Sequence, residues 1–250
     1  NYRGPPASDG GAEETRACGV AYCESLLVVA FFLLLAIGVP EATADGPAAE
    51  EAEAYAFWIL YTLVGAPANQ AYRDYYGVPG AFDGRGSEPD PHPIADRRGA
   101  MDDVYRLHLI VARHENKLWV HLNALGFHLA TVFYGAFARL FALLLPTASL
   151  FRLWDLLFAE SAHPTRPSHK PARHSLIDLA FGAVRQCRSQ LMQCESAGEA
   201  RDCLVGFFES MYDPSAVVEV ATEAERYLWD NALAVKAVRI EPQHATDFKR

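Results

Sequence analysis

Phe133-Tyr-Gly-Ala-Phe137-Ala-Arg-Leu140-Phe141-Ala-Leu-Leu144 decides the fold class. Its apolar positions 133, 137, 140, 141 and 144 fall at i, i+4, i+7, i+8 and i+11, one stripe of a helix with 3.6 residues per turn. The spacing predicts a helix through Leu144, ended by Pro146. Upstream, Val104, Leu107, Val111, Leu118 and Leu122 keep the face of another helix. Downstream, Leu150, Leu153, Trp154 and Leu157 mark a short helix, and Ile177, Ala180, Phe181, Val184 and Leu191 a further one. Leu204, Phe207, Phe208 and Met211 follow, Asp213-Pro214 breaks the pattern, and Val217, Val220, Ala221, Ala224 and Leu228 resume it toward the tail. No run of four or more alternates apolar with polar in the strand manner, and no repeat of fixed period occurs. The expected fold is all-α.

Between these helices the punctuation is irregular. Residues 1–16 are polar and rich in Gly and Pro, a linker or frayed start. Residues 41–53 read as an acidic, Ala-rich loop before an aromatic helix from Ala54 to Val64. Loops are also expected at 77–99 and 161–175, the first with too many turn formers for regular structure. The polar tail closes a C-terminal segment, 213–250, that begins as a helix. The chain starts at Asn1 rather than Met and reads as a fragment or a processed product.

A length of 250 residues with 51% hydrophobic content can bury a sizeable core, which excludes a wholly disordered chain. Thirty-one acidic residues against 22 basic ones give a net charge of -9, which argues against a nucleic-acid partner. The cysteines, Cys18, Cys23, Cys187, Cys194 and Cys203, are odd in number and lack a C-x2-C pair, as expected of reduced thiols in a cytosolic protein. The last three are expected on helices, as small apolar residues. Leu26–Val39 carries no charge, but a spanning helix needs about 18–20 such residues. A buried helix is the first reading, with a membrane anchor and a signal remnant as the others.

Catalytic and metal patterns are sparse. His108, His114, His121 and His128 do not make the i, i+4 pair of a helical zinc site, and His163, His169 and His174 have no Cys partner. Neither metal nor cofactor is expected. The Gly80–Gly86 stretch lacks the Lys-Ser/Thr of a phosphate loop, and no G-x-S-x-G elbow is present. Asp102-Asp103 suit a helix N-terminus. Arg152 and Asp155, at i, i+3, read as a local ion pair, and Trp154 as core.

Two segments carry more. Tyr22-Cys23-Glu24-Ser25 opens a very apolar helix, followed by an acidic loop and Ala56-Phe57-Trp58. Then come His121-Leu122 with Gly126, Leu140-Phe141 with Pro146, and Arg152-Leu153-Trp154-Asp155. In this order they resemble the TBC domain, the helical module that activates Rab-type small GTPases. The resemblance covers about residues 17–212, the later two-thirds of the domain. It implies a GTPase activator, a regulator rather than an enzyme with its own substrate, acting on a Rab-type small GTPase in membrane traffic. It further implies a cytoplasmic protein, peripheral on endomembranes through its partner.

Such activators supply an arginine and a glutamine to the bound nucleotide. The glutamine belongs to a tyrosine–x–glutamine–glycine motif, where this chain has Glu24, then Ser25 for the glycine; Tyr22 and Ser25 flank it as expected partner-binding positions. The arginine belongs to an Ile–Asp–Arg–Thr pattern N-terminal to that motif, and residues 1–21 do not contain it: Arg3 and Arg16 lack the context. Ala136 stands where the family usually has Trp. His121, Pro146, Arg152, Trp154 and Asp155 correspond to its structural signature. The resemblance leaves two readings, an activator altered at one finger or a degenerate member that binds without activating. Outside it stand a helical scaffold and a helical membrane-associated protein.

Overall fold

The chain turns its apolar stripes inward along ten helices in the described part of the sequence. The computed structural model describes residues 24–38, 47–64, 76, 99–162 and 174–239. The helices are α1 (Glu24–Ile37), α2 (Pro47–Val64), α3 (Ala100–His114), α4 (Asn116–Ala124), α5 (Ala130–Ala138), α6 (Thr147–Ala162), α7 (His174–Gln186), α8 (Arg188–Leu191), α9 (Ala197–Glu209) and α10 (Pro214–Arg239). Among the described residues there is no strand. The all-α expectation holds.

Helix α7 is the axis of the packing. Leu176, Ile177, Leu179, Ala180, Phe181, Ala183 and Val184 are all buried, leaving this stretch no solvent face. A helix buried on every side belongs at the centre of a domain, and α7 packs against α3, α6, α8, α9 and α10. Gly182 allows the closest of these approaches. A Cβ there would stand 2.6 Å from Val220 Cγ1 and 2.7 Å from the Val220 carbonyl oxygen on α10. Beside this crossing the rings of Phe133, Phe137, Phe141 and Phe208 join α5 to α9, with neighbouring centroids 5.5–6.0 Å apart.

Local chemistry explains several helix ends. Ser196 caps α9 by accepting the Glu199 N–H at 3.2 Å. Pro214 opens α10, where its missing N–H costs nothing, and Asp213 accepts the Ser215 N–H at 2.9 Å. Gly38, at φ 74, ends α1 and returns its N–H to the Leu34 carbonyl.

Several sequence expectations are corrected. Helix α2 starts at Pro47, so residues 47–53 of the loop expected at 41–53 are helical; a proline at the first helical position followed by Ala and Glu favours helix. The face from Val104 to Leu122 is buried as expected, but on two helices, parted at Glu115 (φ -126, ψ 47). The helix expected to reach Leu144 ends at Ala138, well before Pro146, whose carbonyl accepts the Leu150 N–H at the start of α6. Of the three later cysteines only Cys203 is on a helix; Cys187 sits at the α7–α8 turn and Cys194 in the loop before α9.

The turn after α5 is unusual. Leu140, Phe141 and Leu143 have φ of 51, 65 and 68, left-handed values that cost roughly 1–3 kcal/mol for a residue with a Cβ. Burial and hydrogen bonds offset that cost. Leu140 and Phe141 are buried, Trp154 Nε1–H donates to the Leu140 carbonyl at 2.9 Å, and the Tyr76 hydroxyl donates to the Ala138 carbonyl at 3.0 Å. The Phe–Leu stripe therefore still reaches the core, through a turn instead of a helix.

Helix α1 is only half covered. Val29, Phe32 and Leu33 face the core, whereas Leu27, Phe31 and Leu35 are half exposed or more. The buried helix expected at 26–39 is thus buried on one side: with no polar side of its own, α1 leaves an apolar one outside. No helix among the described residues is long and apolar enough to cross a membrane.

Candidate functional site

Glu24 is the first residue of α1, in the turn where backbone N–H groups lack helical partners and a carboxylate is favoured. It is exposed, and Ser25 beside it is half-buried. Neither side chain makes a hydrogen bond or ion pair to another described residue. Tyr22 lies outside the described residues, as do Arg3, Arg16, His163, His169 and most of the two long loops. An ionised carboxylate at this position accepts hydrogen bonds and donates none.

The later signature residues do structural work at separate points. Trp154 is 3% exposed and ties α6 to the turn after α5 through the Leu140 carbonyl. Arg152 Nη1 and Asp155 Oδ2 stand 3.6 Å apart, both more than half solvent-facing or nearly so, a pair worth little on a surface. His121 Nε2 is 3.2 Å from the Cys194 carbonyl, joining α4 to the loop before α9. No hydrogen bond or ion pair joins any of them to Glu24 or Ser25.

The four histidines at 108, 114, 121 and 128 also part company. Trp119 Nε1–H donates to His108 Nε2 at 3.2 Å, and His114 lies against the rings of Phe181 and Tyr227. Burial, then the nearby Arg113, lowers the His114 pKa from its ordinary value. Among the described residues no group of three or more His, Cys, Asp or Glu comes together as a metal set. Cys187, Cys194 and Cys203 are free thiols, and burial pushes Cys187 up to about 12, with the Cys203 thiol adding to it.

Three features were not legible from spacing. Glu115, 8% exposed, faces Arg185 Nε at 3.4 Å and Arg188 Nε at 3.3 Å, while Arg185 also lies 3.6 Å over the Tyr227 ring. That cluster joins the α3–α4 break to α7, α8 and α10. On α2, Tyr55, Phe57, Trp58 and Tyr61 form an exposed aromatic surface, with Phe57 and Tyr61 stacked at 6.3 Å. The aromatic content was visible in the sequence, but not which side it faces. The third feature is a pair of hollows. One of about 450 Å³ lies between α3, α4 and the following loop, walled by Val104, His108, Trp119, Leu122, Phe127 and His128. Another of about 460 Å³ lies between α5, its turn and α9, with Arg139, Arg201 and Glu209 on its walls.

Residues 94–192 match the Rab-GTPase-TBC domain family, over part of that domain. The TBC resemblance drawn from the sequence is thereby shown for the stretch from α3 through α8. His121, Pro146, Arg152, Trp154 and Asp155 lie within it; Tyr22, Glu24 and Ser25 lie before it. No curated protein matches the chain.

Proposed function

We propose that the chain is a TBC-type module that binds a Rab-type small GTPase and, with Glu24 at the finger position, does not accelerate its GTP hydrolysis. The observation that carries this reading is the family match over residues 94–192, the stretch that contains His121, Pro146 and Arg152–Asp155. The GTPase is expected to bring the chain to endomembranes from the cytoplasm, peripherally.

The chemistry behind the catalytic half is simple. An activator of this type places an arginine against charge developing on the transferred phosphoryl, an effect worth about 10³–10⁵ in rate. Its glutamine orients the attacking water by donating and accepting at once. Glu24 accepts only, and its negative charge would face a triphosphate across a few ångströms. Tyr22 and Ser25 are the neighbouring positions assigned to partner contact.

Single-turnover GTP hydrolysis by a panel of Rab-type GTPases, with and without the chain, tests the reading. Rates within a few-fold of background are expected. A rise of about a hundredfold or more would show that Glu24 does not impair a finger and would overturn the proposal.

A second reading is favoured by the exposed aromatic surface of α2, Tyr55, Phe57, Trp58 and Tyr61. In that reading the module is a scaffold whose partner ignores nucleotide. A complex equally stable with GDP- and GTP-loaded GTPases, or with none, is its signature.

A further inference from the structure

The hollow between α5, its turn and α9 has two arginines, Arg139 and Arg201, on its walls, in a chain of net charge -9. Arg139 is half-buried at the end of α5 and folds back along the helix, so that a Cβ on Gly135 would stand 3.6 Å from its Nη1. Among the described residues no carboxylate is within ion-pair distance of it. Arg201 reaches the same hollow from α9. Its one ion pair among those residues is with its sequence neighbour Asp202, at 2.9 Å and well exposed, which leaves most of its five N–H donors available.

The third wall is the left-handed turn. Ala142, Leu143 and Leu144 line the hollow, and the Leu143 N–H has no backbone acceptor. The other N–H groups of the turn, from Leu140, Phe141, Ala142, Leu144 and Leu145, bond to carbonyls of α5 and of the turn itself, so Leu143 is its one spare backbone donor among the described residues. Thr131 and Tyr134 add hydroxyls to the lining.

We propose that this hollow binds a single phosphate-type oxyanion, carried on a soluble phosphomonoester or on a lipid head group. Guanidinium forks match the paired oxygens of such a group. Glu209 sets the size limit. Arg201, Val205 and Glu209 follow at i, i+4 and i+8 on α9, which places Glu209 about 12 Å along the helix from Arg201. A lone phosphate at the arginine end avoids that carboxylate, whereas an extended polyanion meets it. The site is separate from Glu24 and owes nothing to a GTPase.

Inorganic phosphate titrated into the whole chain by calorimetry is the first arm of the test. Arg139→Gln and Arg201→Gln are each expected to weaken binding about tenfold, and Glu209→Gln to strengthen it a few-fold. A damaged fold would not produce that opposite sign. The second arm is co-flotation with phosphatidylcholine vesicles with and without phosphatidic acid. Flotation that needs phosphatidic acid and is lost in both arginine variants assigns the ligand to a head group. Phosphate binding without flotation assigns it to a soluble phosphomonoester. Neither binding, or binding unchanged in Arg139→Gln and Arg201→Gln, overturns the proposal.

Discussion

Trp154 shows how a landmark residue can be essential without touching a partner. Its indole N–H satisfies the Leu140 carbonyl inside a turn with three left-handed non-glycine residues. Trp154→Phe removes the donor and leaves a buried acceptor alone, so a loss of about 1–3 kcal/mol is expected in urea unfolding. His114 gives a pH dependence at the same scale. Its pKa is lowered in the fold, first by burial, so the unfolded chain binds its proton more readily. Stability is then complete above the ordinary value of 6.5 and declines as pH falls from there toward the lower folded value. Urea midpoints measured across that range should fall on the acid side, and His114→Gln should flatten the decline. Cys187, buried and raised to about 12, should resist alkylation until the chain unfolds.

At the scale of elements, the α7–α10 crossing depends on a missing side chain. Gly182→Ala puts a methyl against the Val220 backbone, which cannot swing aside, and should cost about 1–3 kcal/mol by thermal or urea unfolding. Glu115→Gln should cost about 1–2 kcal/mol, below the range for deeply buried pairs because both guanidinium groups are partly exposed. These two sites also mark where the sequence stopped being readable. The apolar period gave the faces correctly: Val104, Leu107, Val111, Leu118 and Leu122 are all buried, as are Phe133, Phe137, Leu140 and Phe141. Period alone does not report a break when both halves bury the same face. Glu115, at the break, is held by arginines about seventy residues later, and the turn after Ala138 rests on Trp154 and Tyr76. Such long-range partners leave no local signal. The hollow between Arg139 and Arg201 was hidden for the same reason, since it needs two helices to exist.

The whole molecule is acidic, helical and built around α7, with a Rab-GTPase-TBC match on residues 94–192. Three of the residues on which the resemblance was drawn hold parts of the fold together: the buried Trp154, the His121 tie and the Pro146 entry into α6. The finger region was legible only as chemistry. In the proposed reading, Glu24 at the exposed start of α1 stands in for a glutamine, and an ionised carboxylate there accepts hydrogen bonds without donating any. Binding and activation are thus separable in this account, and the binding half is the central claim. Its most direct test is a titration of the whole chain into Rab-type GTPases loaded with GDP or with a non-hydrolysable GTP analogue. Saturable binding to the GTP-analogue form of at least one of them, about tenfold or more tighter than to its GDP form, is the expected result. Affinities that do not change with the nucleotide, or no binding across the set, would contradict it.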